Sequence, residues 1–261
     1  MSFASPPAGP APNARVRAYW DEHIHDLAIT KHPPGTLEFF QDLDEYHFDK
    51  LHHLLRLIRF DGLAGRRVLD VGCGTGVDLV RFARGGAQVT GIDLATSAVA
   101  LARQNVRAQR VHAHLAVADG EALPFPSDHF DYVFAHGVVQ YTTNGRRLVE
   151  EVRRVLKPRG EAVFQGYNRV SWLNALSRLM KVDLEHEGAP VLYKYSPQEF
   201  RRLVDAFDDV QVVFERFPVK SRLHGGWKGV AFNTMFVGAF NALPRAWVER
   251  YGWHLLAFCR K

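Results

Sequence analysis

The stretch Val68-Leu69-Asp70-Val71-Gly72-Cys73-Gly74-Thr75-Gly76 constrains the fold more than any other part of the chain. A short apolar strand runs into three glycines, and a helix follows over Asp78 to Arg84, closed by Gly85-Gly86. Glycines at a strand-to-helix turn adopt backbone angles that other residues avoid, and they let a ligand approach the main chain closely. Asp93 comes 17 positions after Gly76, at the end of the next apolar run, where an acidic side chain would grip a ribose diol. The spacing excludes two common nucleotide sites. A G-x-G-x-x-G turn counted from Gly72 and Gly74 needs a glycine where Val77 stands, and no Gly-Lys followed by Ser or Thr closes a P-loop. Asp70, two residues before the first glycine, would repel a pyrophosphate and suits a cationic ligand.

Strand and helix patterns then alternate. Gln88 to Ile92 reads as a strand, Thr96 to Gln109 as a helix, Leu115 to Ala118 as a strand ending at Asp119, and Phe130 to Ala135 as a strand. Asn144 caps a helix that ends at Leu156, and Glu161 to Tyr167 is the next strand. This order predicts an α/β fold with a mostly parallel sheet and helices on both faces. No strand pattern precedes residue 66. Asn13 caps a helix carrying Val16, Tyr19, Trp20, Ile24 and Leu27, and His32-Pro33-Pro34-Gly35 breaks it. Thr36 caps a second, with an apolar stripe from Leu37 to Ile58. Residues 13–60 thus read as an N-terminal helical cap and 61–261 as the α/β domain. Residues 1–12, rich in Pro, Ala and Ser, read as a disordered tail without signal-peptide character. Downstream, Ser171 to Met180 looks helical and Ser196-Pro197-Gln198-Glu199 has the form of a capping box. Asp209 to Phe214 and Trp253 to Cys259 read as strands, separated by an apolar insertion near 217–248.

Composition adds bounds. Hydrophobic residues make up 47% of the 261, enough for a full core. The net charge of +5 rests largely on paired arginines such as Arg146-Arg147 and Arg201-Arg202, which suit solvated helix faces. Cys73 and Cys259 cannot build a disulfide framework. The longest apolar run, Val230 to Leu243, is too short to span a bilayer, so a cytoplasmic protein is expected.

At residues 66–167 the chain resembles the class I S-adenosylmethionine (SAM)-dependent methyltransferases, of the type 11 group that includes ubiquinone and menaquinone methyltransferases. The motifs are the glycine turn, Gly91-Ile92-Asp93-Leu94, Asp119-Gly120-Glu121-Ala122-Leu123-Pro124-Phe125, Phe130-Asp131-Tyr132-Val133, and Glu151 to Gly160. The resemblance implies a Rossmann-like, seven-stranded sheet whose last strand is antiparallel, with SAM as cofactor. It places Gly72, Gly74 and Gly76 under the methionine part of SAM, Asp93 on the ribose, Asp119 and Gly120 at adenine, and His136 facing the reactive side. Asp70, Leu94 and Tyr19 complete the candidate cofactor set. Asp70 could equally complement a helix dipole, Asp119 could be only a turn residue, and Cys73 reads as a small residue that fits the turn.

SAM is an activated donor, so the protein must align a nucleophile and exclude water. The acceptor is expected to be a small molecule, and the candidate catalytic residues are His136, Tyr141 and His23. His136, Gln140 and Tyr141 follow strand four, where open α/β sheets bind ligands, and His136 titrates near neutral pH. Its competing role is to position the cofactor. Tyr19, Trp20, His23 and His25 form a second group, and Trp227 to Phe240 a third that would act as a lid or as extra core. No metal site is expected: His23 and His25 lie far apart around a helix, and His52-His53 and His112-x-His114 are isolated pairs. Ala135-His136-Gly137-Val138 lacks the Asn/Asp-Pro-Pro-Tyr type motif of DNA amino-methylating enzymes, and no RNA-binding module is recognisable. A nucleic-acid or protein methyltransferase and a non-catalytic SAM-binding protein stand as alternatives, and the oligomeric state is left open.

Overall fold

Alternate residues of strand β1 (Arg67–Val71) enter two different cores. Val68 packs with one buried cluster and Leu69 with another, because successive side chains point to opposite faces of a sheet. Both faces are covered, which is why Val68, Leu69 and Val71 are apolar on both sides of the strand and not alternating with exposed polar residues. A computed structural model describes residues 12–24, 27–180, 184, 186–218, 234 and 237–261. The expected tail lies outside this range except for Pro12. So do His25 and most of the insertion, including Trp227, Val230, Phe232, Met235 and Phe236.

β1 pairs in parallel with β2 (Gln88–Asp93) and β4 (Phe130–Ala135). β3 (Ala113–Val117), β5 (Leu156–Asn168), β7 (Asp209–Glu215) and β8 (His254–Arg260) complete the order β3-β2-β1-β4-β5-β8-β7. β8 runs antiparallel to both its neighbours. These are the seven strands expected, with the last one reversed. An eighth, β6 (Lys194–Tyr195), corrects the count. Two residues pairing with Tyr167 and Asn168 are too short to show any sequence period.

Helices α4 (Val77–Arg84) and α5 (Thr96–Ala108) cover one face, with α2 (Leu37–Lys50) and α3 (His53–Leu57) packed on the same core. The other face holds α6 (Gly145–Val155) and α8 (Pro197–Leu203). The caps form as expected: Thr36, Asn144 and Ser196 accept from the backbone N–H of Phe39, Arg147 and Glu199, and Ser196 with Glu199 closes a capping box. The expected single helix from Thr36 to Ile58 is two helices. Leu51 leaves helical geometry at φ −120 and ψ 39, and both it and Leu54 are buried across the bend. α1 (Pro12–Glu22) is tied to α5 by Asp21, whose Oδ1 accepts from Ser97 N at 2.9 Å. α7 (Trp172–Met180) precedes β6.

Glu151 on α6 is a buried carboxylate that organises the opposite loop. It accepts from Leu123 N at 2.9 Å and from Arg154 Nη2 at 2.8 Å, while Arg154 also donates to the carbonyls of Leu123 and Phe125. The Arg154 bond holds its carboxyl below the usual range against the opposing effect of burial. Glu151→Ala is expected to destabilise the protein by about 2–4 kcal/mol, since it strands a backbone donor and a guanidinium. Because the folded pKa is depressed, this contribution is full above the unfolded carboxyl's pKa and is lost as pH falls through the folded one. Denaturant unfolding of wild type and variant across acidic pH should therefore converge. A constant gap would show that Glu151 acts through packing alone.

Candidate functional site

The glycine turn departs from β1 in left-handed backbone, with φ of 71 at Gly72, 51 at Gly74 and 79 at Gly76. Gly72 is required by close approach, because a Cβ there would lie 2.2 Å from Val138 Cγ2. Gly74 has open space where its Cβ would be. Gly72 N and Cys73 N both donate to Ile92 O, at 2.8 and 2.9 Å. Asp93 accepts from Gly74 N at 3.0 Å through Oδ2 and from Ala95 N at 2.9 Å through Oδ1. Behind the turn Asp70 is buried, with no hydrogen bond to Oδ2. Burial first, then the charges of Asp78 and Asp93, push its carboxyl well above the usual range.

These features fit SAM. Burial raises the carboxyls of both Asp70 and Asp93 beside an open turn, and a sulfonium and an ammonium there would favour their ionised forms. The Asp93 oxygens retain acceptor capacity beyond their backbone bonds for a ribose diol. Farther along, Asp119 accepts from Glu121 N at 2.8 Å and from Asn13 Nδ2 at 2.6 Å, and Asn13 accepts from Thr143 Oγ1 at 2.6 Å. The first helix thus reaches the expected adenine end directly.

One cleft at the carboxyl ends of the strands is lined by Gly72, Gly74, Asp93, Leu94, Asp119, Gly120, His136 and Tyr141. Four other candidates do not line it. Asp70 and Gly76 lie beneath the turn, and Gly76 caps α4. Tyr19 and His23 stack on each other, with ring centroids 4.2 Å apart, and Tyr19 OH lies 3.4 Å from His186 Nδ1. The correction follows from helix geometry. The cleft-facing stripe of this segment is Asn13, Val16, Trp20 and Ile24, so Tyr19 and His23 fall on the adjacent face. Trp20 packs edge-on against Tyr141, 4.8 Å between centroids, and Tyr141 OH is 3.1 Å from Tyr167 OH. Gln140 is buried against Gln165 and does not line the cleft.

The inner end is rich in histidine. His136 stacks on Phe134 and has no hydrogen bond to Nε2. Burial pushes its pKa down to about 4, in spite of Asp78, so the imidazole is neutral at neutral pH. Burial likewise lowers His53 to about 3 and holds His254 well below its usual value. Burial opposes ionisation of Asp78, but His47, His136 and Arg81 outweigh it and keep that carboxyl below its ordinary pKa. His47 Nε2 is 3.3 Å from Asp78 Oδ1. With His136 these two form a grouping whose nitrogen and oxygen atoms lie within 4.8 Å of one another, close enough to share a metal ion. Among the described residues it is the one such grouping found. The sequence analysis passed over His47, Asp78, Arg216 and His254, which come from α2, α4, the end of β7 and β8. None has a local motif, and only the tertiary fold joins them.

A family model for a methyltransferase domain matches residues 69–164. The chain is similar to a ubiquinone biosynthesis O-methyltransferase of Sodalis glossinidius, at 35% identity over 144 residues. That alignment covers 51% of this chain and 57% of the relative, so the likeness spans less than two thirds of it. Among solved structures, a SAM-dependent methyltransferase of Thermotoga maritima described as a possible histamine N-methyltransferase matches with TM-score 0.57. It is 17% identical, over 85% of this chain and 98% of that one. The [4+2]-cyclase SpnF matches with TM-score 0.56 and 19% identity, over 98% of this chain and 97% of that one. These two likenesses bear on the fold alone.

Calorimetry on Asp93 variants tests the cofactor end. Asp93→Ala is expected to weaken binding of S-adenosylhomocysteine by about 1.5–3 kcal/mol, the worth of hydrogen bonds to a charged group. Asp93→Asn, which keeps one acceptor oxygen, should lose less. A silent Asp93→Ala would remove the ribose assignment.

Proposed function

Residues 69–164 belong to the class I SAM-dependent methyltransferase family, and from that premise we propose that the chain moves a methyl group onto an oxygen of a small-molecule acceptor held at the histidine-lined end of its cleft. The observation that carries this is the continuity of the cleft. It runs from Asp119 and Asp93 past the glycine turn to His136, Tyr141 and His254. Oxygen is favoured as the acceptor atom because the Sodalis relative is named an O-methyltransferase.

SAM supplies a methyl group already activated on a sulfonium. The turn and Asp93 hold its ribose and methionine portions, and Asp119 with Gly120 holds the adenine. α1 lies over the cleft through Asn13, Val16 and Trp20 and excludes water from it. Tyr141 and Tyr167 wall the acceptor end with their paired hydroxyls. As the oxygen–carbon bond forms and the carbon–sulfur bond breaks, the acceptor's hydroxyl proton passes to the imidazole of His136, which lines the cleft. His23 takes no part in this scheme, since it lies off the cleft.

Methyl transfer from labelled SAM to a panel of hydroxylated aromatic compounds is the direct test. His136→Ala is expected to lower turnover about 10²–10⁴-fold, the usual worth of a general base, with S-adenosylhomocysteine affinity unchanged. An equal loss of affinity and rate would make His136 a cofactor-positioning residue. Because the folded His136 pKa is low, the base is fully available around neutral pH, and its rate contribution should fall only as pH approaches about 4. Dialysis against EDTA is expected to leave turnover intact, since the donor needs no Lewis acid. Loss restored by zinc would instead make His47, Asp78 and His136 a metal centre. Hydrogen exchange should show residues 13–24 protected when S-adenosylhomocysteine binds, whereas unchanged exchange would reduce α1 to surface packing.

A further inference from the structure

At the inner end of the cleft stands a guanidinium. Arg216 directly follows β7 and lines the cleft. Its backbone is left-handed at φ 58, a conformation that a β-carbon makes unfavourable. Two hydrogen bonds hold it there, from Trp172 Nε1 at 2.9 Å and Trp253 N at 3.3 Å, both to the Arg216 carbonyl. The neighbouring carboxylate, Glu215, is committed elsewhere, with Oε1 accepting from Arg56 Nη2 at 2.6 Å. Among the described residues no ion pair is formed by Arg216.

Its one side-chain partner is His254, whose Nε2 lies 3.4 Å from Arg216 Nη1. A guanidinium has no acceptor, so Nε2 of His254 must accept and the ring proton sits on Nδ1. That Nδ1 is buried and without a hydrogen-bond partner. The charge of Arg216 also helps keep His53, His136 and His254 neutral. The end of the cleft therefore presents a fixed positive charge with which, among the described residues, no carboxylate pairs. Uncompensated charge in such a place is unfavourable until an anion meets it.

We infer that the acceptor carries a carboxylate that docks on the guanidinium of Arg216. This rests on the methyl-transfer reading for the identity of the site as an acceptor pocket. A carboxylate fits because its two oxygens match two N–H groups of the guanidinium, which the single bond to His254 leaves open.

The test follows the histidine ring signals by NMR in protein saturated with S-adenosylhomocysteine, while benzoate, benzamide and phenyl phosphate are added in turn. Benzoate should shift the His254 signals saturably, and the neutral amide should bind at least tenfold more weakly. R216Q should lose at least tenfold in benzoate affinity while keeping its affinity for S-adenosylhomocysteine. R216K, which preserves the charge, should retain measurable binding. The proposal is overturned by equal binding of acid and amide, by no saturable response to benzoate, by an unaffected R216Q, or by loss of binding in R216K as well. Tighter binding of phenyl phosphate overturns the carboxylate assignment. Failure of the wild type to bind S-adenosylhomocysteine would instead count against methyl transfer. The benzoate titration, repeated on the protein alone, would still stand or fall on its own.

Discussion

The carboxylate of Asp93 joins two turns before any ligand meets it. Oδ2 holds the turn after β1 through Gly74 N, and Oδ1 holds the start of α5 through Ala95 N. Gly72 N and Cys73 N reach the same strand through Ile92 O. The glycine turn is thus clamped from both its backbone and a side chain, and Val138 closes it from the other side, where only a glycine fits. Everything else at this end depends on the clamp. It sets the start of α4, it fixes where Asp78 emerges, and it leaves Asp70 buried with an unmet acceptor.

That arrangement makes the cleft electrically lopsided. Asp70 and Asp93 stand at the turn where a cation is expected, and at the far end the guanidinium of Arg216 and the ammonium of Lys50 line the cleft with neutral imidazoles. Charges in a low-dielectric cleft act over longer distances than in water, so the two ends sort ligands by sign. The first helix strengthens the contrast. Asn13 bridges Asp119 and Thr143, and Trp20 covers Tyr141, so one short segment touches both the expected nucleoside end and the acceptor wall.

What could be read from the sequence was local. The glycine turn, Asp93 at the end of β2, the caps at Thr36, Asn144 and Ser196, and the strand–helix alternation all sit within short windows, and the structure contains each. The break at Leu51 escaped notice because the apolar stripe runs unbroken through it. Tyr19 and His23 stand one turn apart on α1, but a pair's spacing does not say which way it faces. That is decided by how Asp21 and Asn13 pin the helix. The acceptor end was out of reach for a stronger reason. Arg216 and His254 are 38 residues apart, and they meet because Glu215 and His254 are opposed in the β7–β8 ladder. No window of sequence contains that register.

The same ladder bears on how the molecule is made. β8 is the last strand in chain order, yet it lies between β5 and β7 and not at a margin. Until residues 254–260 have left the ribosome, β7 has no sheet neighbour, and β5 shows a long open edge beyond its pairing with β4 and β6. Strands β1 to β5, with the glycine turn and Asp93, can assemble well before then, because every pairing among them, the β1–β4 pair included, joins strands already made. A nascent chain therefore passes through a stage with its nucleoside end formed and its acceptor end absent, and the insertion of one strand supplies His254, seats Arg216 and closes the sheet together.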